Sequence, residues 1–338
     1  MTSRQRVLAK LAGLPVDRLP VMAITMMLAS DMVGRPYRDY VTDHRVLVEG
    51  QLATAERYGL DYVSVISDPT REACDLGAPI AFSDDLPPAV QEDNTLLKDK
   101  ARLAHLARPD PHAAGSRMLD RIQGAAMLRE RVGSRLAVEG WIEGPCAEGA
   151  DLRGLGTLML DFYDDPPFVR DLFEFVIEME LAFAKAQMAV GCDLIGCGDA
   201  AASLIGPQLY EEFVWPYEKR LFDSIHEAGG RIRLHICGNT RAILEPIGRL
   251  GVEMVDLDFL VPVAEAREKM GPGQVLGGNL DPVHAVRGGT PERIRAGLAA
   301  CHAAAGDAYI IAAGCEVVRD TPPANFLAMR DYARQAAG

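Results

Sequence analysis

The sequence predicts an α/β fold, a single (β/α)8 barrel that takes up residues 1–338. Short apolar or alternating segments of strand length recur eight times, and segments with helical periodicity separate them. A chain of 338 residues suits one such barrel, and no linker or internal repeat divides it. Conspicuous polar residues follow the predicted strands directly, at the end where barrels of this kind carry their chemistry.

The first part of the chain predicts two strands, each preceded by a helix. Residues 3–12 have helical periodicity, and a turn with two prolines follows over 14–20. The apolar run Val21–Met27 is typical of a strand that is buried on both faces. Helical periodicity returns over 44–58, and Tyr62–Ile66 predicts the second strand.

Residues 77–134 are less regular and predict an excursion from the barrel, or a lid over it. Pro87 and Pro88 interrupt regular structure, and residues 92–103 are rich in charge. Helical periodicity is found again over 117–132.

The second half of the chain alternates strands and helices with short connections. The six remaining strands are predicted at Leu136–Trp141, Cys192–Cys197, Arg231–Cys237, Gly251–Asp258, Gln274–Gly278 and Ala308–Gly314. Helices are predicted at 165–190, 207–229, 240–249, 262–270 and 290–305. Because Pro216 lies inside one of these helices, we expect a kink there or two helices placed end to end.

Composition and charge argue against several classes of protein. Hydrophobic residues make up 49% of the chain, enough for a full core, yet no apolar run has the length of a membrane span. The first residues lack the apolar core of a signal peptide, and the seven scattered cysteines fit a reducing compartment, so we expect a cytoplasmic protein. The formal net charge is −13 without a basic stripe, so we expect no nucleic-acid partner.

A candidate metal site begins with His235 and Cys237. These residues are two apart at the end of a predicted strand and therefore point to the same face. An isolated pair of this kind is more often ordinary packing than a ligand pair. Cys315, 78 residues beyond Cys237, follows another predicted strand and reaches the same end of the barrel. Three ligands and one open position are the pattern of a catalytic zinc site.

The donor types indicate a reaction class for such a site. Two thiolates would cancel the charge of a zinc ion, so a substrate thiol in the fourth position would lose its proton yet stay electron-rich. The sequence therefore favours thiol activation and alkyl transfer over activation of water. Asp258 could be a weak fourth ligand, an acceptor that holds His235, or an ordinary aspartate at a strand end. Glu143, Asp199 and Asn279 also follow predicted strands, and we expect them to orient the substrate, with Asp258 as a further substrate-binding residue.

Several segments together resemble a known family. They are Glu143-Gly-Pro145, Ser203-Leu-Ile-Gly-Pro207, Leu234-His-Ile-Cys-Gly-Asn239, Gly278-Asn-Leu-Asp-Pro282, Gly289-Thr-Pro291, Gly314-Cys315, Asp320-Thr-Pro322 and Asn325. On these segments the chain resembles the uroporphyrinogen decarboxylase superfamily, and within it the zinc-dependent branch of methylcobamide:coenzyme M methyltransferases. The similarity covers most of the chain and is strongest from about residue 140 onward.

The resemblance implies a (β/α)8 barrel in which His235, Cys237 and Cys315 bind Zn²⁺. It implies methyl transfer between a corrinoid (methylcobalamin) and an acceptor that is a small-molecule thiol or tetrahydrofolate. No segment of the chain reads as a corrinoid-binding domain, so the corrinoid is expected on a separate partner protein. Asp68 resembles, in its placement, the aspartate that binds pyrroles in the decarboxylases, which makes it a further substrate-binding candidate.

Two other functions stay open at this point. Decarboxylation of a tetrapyrrole is one, although Val21–Ser30 lacks the arginines with which the decarboxylases grip substrate carboxylates. A non-catalytic barrel that binds a corrinoid or a metal is the other. The identity of methyl donor and acceptor, the direction of transfer, a fourth zinc ligand and the oligomeric state do not follow from the sequence.

Overall fold

A computed structural model describes residues 1–336 of the chain. Its centre is a seven-stranded, all-parallel sheet in which each strand pairs with the next one along the chain. A separate antiparallel pair of strands lies outside it. The strands are β1 Tyr62–Ser64, β2 Ile80–Ala81, β3 Ala89–Val90, β4 Ala137–Glu143, β5 Leu194–Gly198, β6 Ile232–His235, β7 Met254–Asp256, β8 Val275–Gly277 and β9 Tyr309–Ile310. The central sheet contains all of these except β2 and β3.

The segment around Val21 closes the sheet into a ring. Val21 forms a parallel bridge with Ile311, just after β9, and its carbonyl accepts the amide of Asp61, just before β1. The backbone of Ile311 also bonds to Pro20 and Met22 on either side. The chain therefore forms the predicted (β/α)8 barrel, with seven strands and one bridging segment.

The predicted strand Val21–Met27 is wrong beyond this bridge. Met27 instead begins a helix, since the carboxylate of Glu316 accepts the amides of Met26 and Met27 at 2.9 and 2.7 Å. Such an acceptor satisfies the free N–H groups of a helix start. An apolar run alone does not reveal a helix cap that is supplied by a residue far away in the chain.

Helices surround the sheet and fill the connections. They are α1 Ser3–Leu11, α2 Met27–Met32, α3 Tyr37–Thr42, α4 His44–Tyr58, α5 Arg71–Asp75, α6 Arg117–Val132, α7 Pro145–Arg153, α8 Leu155–Asp164, α9 Pro166–Ala189, α10 Gly206–Leu209, α11 Trp215–Glu227, α12 Leu244–Gly248, α13 Val263–Met270, α14 Pro291–Ala305 and α15 Pro323–Gln335. The predicted helices over 44–58, 117–132 and 165–190 match these bounds to within a residue or so. Their starts carry local caps: Asp43 accepts the amide of Arg45, and Ser116 that of Leu119.

The helical region expected over 207–229 consists of pieces placed end to end. α10 runs into a π-helical segment, Tyr210–Val214, and α11 then begins with Pro216 in its first turn. A proline lacks the N–H that a helix interior needs, and it is tolerated in the first turn. The prediction made from Pro216 is confirmed.

The expected excursion over 77–134 contains the β2–β3 pair, two short 3₁₀ turns (Glu92–Asn94 and Lys100–His105) and α6. Six helices were not predicted: α2, α3 and α5 in the first part of the chain, α7 and α8, which precede α9, and α15 at the end of the chain. The main hydrophobic core includes residues from Val7 to Ala333, and the expectation of one domain stays a prediction. Within residues 1–336, no helix combines the length and apolar character needed to cross a bilayer.

Candidate metal centre

The ends of β6 and β9 place three ligand atoms together. His235 is the last residue of β6, Cys237 lies two residues further, and Cys315 follows β9. Nε2 of His235 lies 3.1 Å from Sγ of Cys237 and 3.8 Å from Sγ of Cys315, and the two sulfurs are 3.7 Å apart. Because all strands of the ring are parallel, these ends share one mouth of the barrel.

The triangle of ligand atoms fits one tetrahedral ion. Zinc bonds of about 2.3 Å to sulfur and about 2.0–2.1 Å to nitrogen place neighbouring ligand atoms roughly 3.5–3.8 Å apart. The observed separations of 3.1, 3.7 and 3.8 Å bracket that range. Both sulfurs are free thiols too far apart for a disulfide, whose sulfur–sulfur bond is about 2.05 Å. His235, Cys237 and Cys315 could therefore hold a metal and leave one position open.

The protonation of the three side chains is coupled. Burial alone would lower the pKa of His235, but the Cys237 sulfur and Asp256 raise it well above its usual range. The hydrogen bond from Cys237 lowers the pKa of Cys315 to about 4, and contact with His235 acts in the same direction. The same hydrogen bond, together with burial, raises the pKa of Cys237. The centre thus already favours a thiolate, which is the form that binds metals.

Asp256, the last residue of β7, holds the imidazole of His235. Its Oδ2 lies 3.2 Å from Nδ1 of His235 and accepts Nε–H of Arg233 at 2.8 Å. Although burial raises the pKa of Asp256, the Arg233 guanidinium lowers it, so the carboxylate stays charged. A bound metal would replace the proton on Nε2, and the hydrogen that stays on Nδ1 would remain bonded to Asp256, so Nε2 would face the sulfurs as a ligand. One of the three roles considered for Asp258 from the sequence, the acceptor that holds His235, belongs to Asp256, two residues earlier.

Asp258 and Asn279 brace the loops of the mouth. The carboxylate of Asp258 accepts the amides of Gly238 and Leu260, both at 2.9 Å. The side-chain amide of Asn279 donates to the carbonyls of Asp258 and Val261 at 3.0 and 2.5 Å. Both side chains are thus engaged with backbone, and their expected role in binding substrate stays a prediction.

Asp199 and Glu143 are also engaged by protein donors. Asp199 accepts the amides of Cys146 and Ala147 and so caps the start of α7. Burial raises the pKa of Asp199 to about 7. Glu143 accepts Nη2–H of Arg71 at 3.0 Å and Nε1–H of Trp141 at 3.1 Å. Contact of either residue with substrate stays a prediction.

Asp68 is held by an arginine. Arg117 donates to both of its carboxylate oxygens, at 3.0 and 2.6 Å, and the hydroxyls of Ser67 and Thr70 donate as well. Although burial raises the pKa of Asp68, the Arg117 guanidinium lowers it below its usual range. The carboxylate is therefore bonded to protein donors on both oxygens, and its expected contact with substrate stays a prediction.

Trp141 is a site residue that the sequence did not reveal. Its ring centroid lies 6.4 Å from that of His235, and the ring packs with Ile24 and Ile66 in an apolar cluster separate from the main core. Gly196 and Gly198 on β5 leave room for it: a Cβ at Gly196 would lie 2.2 Å from Cε3 of the indole. The two glycines on a buried strand were the available signal.

A short segment before α6 carries a sequence signature that bears on the expected corrinoid partner. Asp110-Pro-His112-Ala-Ala-Gly115 has the Asp-x-His-x-x-Gly spacing that marks corrinoid-binding domains. The segment forms an exposed turn before α6, and the amide of His112 bonds to the Asp110 carboxylate at 2.9 Å. No strand leads into it, so it does not belong to a corrinoid-binding domain, and the expectation of a separate carrier is unaffected.

Fold and site together define a (β/α)8-barrel protein with a histidine and two cysteines arranged as metal ligands at the barrel mouth. The sequence profile of the family described as uroporphyrinogen decarboxylase (URO-D) matches residues 2–336. The chain belongs to this family.

Relatives of the chain include proteins named for two different activities. The methylcobamide:CoM methyltransferase MtbA of Methanosarcina mazei is 28% identical over 339 residues, covering 98% of each chain. A uroporphyrinogen decarboxylase of Nocardia farcinica is 27% identical over 243 residues, covering 71% of this chain and 67% of its own. A solved structure of a methyltransferase from Methanosarcina mazei superposes with a TM-score of 0.91 at 24% identity, covering 99% of both chains, which establishes the fold.

Proposed function

We propose that this protein is a zinc-dependent methyltransferase that moves a methyl group between a methylcobamide, carried by a separate corrinoid protein, and a small-molecule thiol. The observation that carries the proposal is the triangle of His235 Nε2, Cys237 Sγ and Cys315 Sγ. The reaction class comes from relatives named methylcobamide:CoM methyltransferases, which the chain matches over almost its whole length.

His235, Cys237 and Cys315 would hold the zinc ion. When bound, zinc supplies a Lewis acid that favours the thiolate form of a substrate thiol at neutral pH. Two cysteine sulfurs in the donor set keep the centre close to neutral, so such a thiolate would stay electron-rich and nucleophilic. This donor chemistry is what alkyl transfer to sulfur needs.

The neighbouring residues prepare the centre for this reaction. Asp256 accepts the Nδ1 hydrogen of His235, so Nε2 is the ring nitrogen that would bind the metal. The indole of Trp141 and the side chains of Ile24 and Ile66 provide an apolar surface next to His235. Such a surface excludes water from a reactive thiolate and strengthens local electrostatic interactions.

The test is an assay of methylcobalamin demethylation, with zinc measured on the same sample. Free methylcobalamin replaces the unidentified corrinoid protein, and the acceptors are a panel of small thiols, one of them coenzyme M, together with tetrahydrofolate. We expect zinc-bound enzyme to methylate a thiol. Tetrahydrofolate, the other acceptor suggested by the sequence, has no support among the relatives, so we expect no transfer to it.

Two variants sharpen this assay. Cys315→Ala should lose zinc and thiol methylation together while its circular dichroism spectrum stays unchanged. Cys301→Ala is the matched control, because Cys301 is a half-buried thiol that bonds to Asn279 and not to the centre. An active protein without zinc, or a Cys315→Ala variant with full activity, would contradict the proposal.

Porphyrinogen decarboxylation is the alternative reaction within the family. It would need neither zinc nor Cys315, so turnover of a porphyrinogen by the Cys315→Ala variant would favour it. A protein that binds zinc and cobalamin tightly but transfers no methyl group to any thiol would instead be the non-catalytic barrel considered from the sequence.

A further inference from the structure

A second group of acidic side chains lies between helices, away from the metal centre. Glu72 on α5, Glu148 on α7 and Glu180 on α9 are all fully buried. One carboxylate oxygen from each lies within 4.8 Å of the others. We call these three residues the buried glutamate cluster.

The cluster has too few hydrogen-bond donors. No donor reaches either carboxylate oxygen of Glu148 or of Glu180, or Oε2 of Glu72. Arg71 donates to Oε1 of Glu72 at 3.2 Å, but its other bonds go to Glu143 and to a backbone carbonyl. Buried polar groups in folded proteins almost always have a partner, so five unpaired oxygens on three neighbouring side chains point to a missing one.

The local charge is strongly unbalanced as well. Burial raises the pKa of Glu148 well above its usual range, and the charge of Glu72 adds to this. The same two causes raise the pKa of Glu180. Asp151, one turn further along α7, has an unpaired oxygen and a pKa raised to about 8 by burial and by Glu72. A single arginine cannot compensate this many buried carboxylates, so either protons or a cation must do so.

The geometry points to a cation. The three oxygens lie no more than 4.8 Å apart and are therefore close enough to share one ion, since ligand oxygens on opposite sides of an ion are about 4 Å apart for Mg²⁺ and up to about 5 Å for Ca²⁺. The donors are carboxylate oxygens, without sulfur or imidazole, which selects hard ions over zinc. We propose that Glu72, Glu148 and Glu180 bind a hard divalent cation of the Mg²⁺ and Mn²⁺ class, distinct from the ion at His235, Cys237 and Cys315.

Such an ion would connect three elements behind the barrel mouth. It would replace the carboxyl protons of Glu148 and Glu180 on binding and join α5, α7 and α9 at one point. Arg71, which contacts Glu72, also contacts Glu143, and Glu143 holds the indole of Trp141. The cation would thereby support the apolar surface next to His235 without touching the metal centre.

The test is a metal analysis of the whole protein with Mn²⁺ as the probe. Because the cluster is buried, the protein is expressed in medium containing zinc and Mn²⁺, so that the ion enters during folding. After gel filtration in a chelator we expect one manganese per chain, with the electron paramagnetic resonance spectrum of Mn²⁺ held by oxygen ligands. Protein that holds zinc but no manganese, magnesium or calcium would overturn the proposal and assign protons to the cluster.

Variants assign the ion to the cluster. The double variant Glu148→Gln with Glu180→Gln keeps the side-chain shapes, and it should lose manganese but retain zinc. Glu218→Gln is the matched control and should keep manganese. Glu218 is also a buried glutamate with an unpaired oxygen, Oε1, but its Oε2 accepts the hydroxyl of Tyr210 and it is not part of the cluster. Cys315→Ala should lose zinc but keep manganese. Loss of manganese from either of these two controls, or its retention in the double variant, would overturn the assignment.

Discussion

At the scale of single residues, the metal centre depends on a carboxylate that is not itself a ligand. Asp256 contacts both Nδ1 of His235 and Nε of Arg233. The arginine keeps the carboxylate charged, and the carboxylate bonds to Nδ1, which leaves Nε2 on the side of the sulfurs. The donor properties of Nε2 are therefore determined two side chains away from the ion.

This arrangement predicts the effect of Asp256→Asn. The variant removes the negative charge that orients His235, so its zinc affinity should fall by about 10- to 100-fold. Competition against a chromophoric chelator measures this affinity. Asp258→Asn is the comparison, because Asp258 bonds to backbone amides instead of to His235, and its effect should be clearly smaller. A larger loss in Asp258→Asn would show that the aspartate chosen from the sequence was the right one.

The three ligands could be found from the sequence, but their surroundings could not. The ligands lie at or just after strand ends, and parallel strands in one barrel bring such ends together; they are His235, Cys237 and Cys315. Asp199, Glu143 and Asp68 also follow strands, yet each bonds to a donor from a distant part of the chain. A sequence pattern places a residue at a strand end, whereas its partner there depends on tertiary packing.

At the scale of elements, β5 and α7 show how neighbouring units shape the mouth. Asp199 follows β5 but caps α7, whose own N-cap residue, Gly144, has no side chain that can accept a bond. The cap is thus supplied from the next strand of the barrel. This is one reason why α7 was not predicted: the usual N-cap signal is absent from its own sequence.

Because Asp199 caps α7, we expect the Asp199→Ala variant to be less stable. Removal of a capping side chain costs about 0.5–2 kcal/mol, and the free energy of unfolding in urea should fall by that amount. Asp199→Asn keeps an acceptor oxygen and should lose less. If both variants are as stable as the wild type, Asp199 is free for another role, such as the substrate contact expected from the sequence.

The packing of β5 against β4 makes a second prediction at this scale. In Gly196→Ala the new Cβ would lie 2.2 Å from the ring of Trp141, so the indole must move. Overpacking of this kind costs about 1–3 kcal/mol, and the tryptophan fluorescence should change together with the stability. Gly156→Ala on α8 is the control, since nothing lies within 4 Å of its Cβ position and alanine favours helices. An unchanged fluorescence spectrum in Gly196→Ala would contradict this account of the Trp141 position.

At the scale of the whole molecule, the order of strands was predictable and the closure of the ring was not. Alternating strands and helices specify the parallel order of the seven strands in the central sheet. Val21–Met27 looks like a complete strand, but Glu316 turns its second half into a helix start. The barrel therefore closes through a single bridge at Val21, and side chains inside the ring must help to hold that segment.

Arg233 is the side chain that connects the ring through its interior. From β6 it donates to Glu139 on β4 at 3.2 Å, to Asp256 on β7 at 2.8 Å and to the carbonyl of Met22 in the closing segment at 2.9 Å. All of these groups are buried. The guanidinium thus joins four positions around the barrel, and it balances charges that would otherwise be costly to bury.

Arg233→Met should therefore destabilise the whole barrel. The variant leaves Glu139 and Asp256 buried without their cation, and breaking a buried pair in this way costs about 3–5 kcal/mol. Urea denaturation followed by circular dichroism measures the loss, which should be cooperative because the arginine connects the closing segment to β4 and β7. Arg131→Met is the matched control: Arg131 pairs with Glu49 at 2.9 Å on the surface, where such pairs contribute little, so its unfolding free energy should stay nearly unchanged. Equal stability of the two variants would mean that backbone bonds at Val21 hold the ring closed without help from its interior.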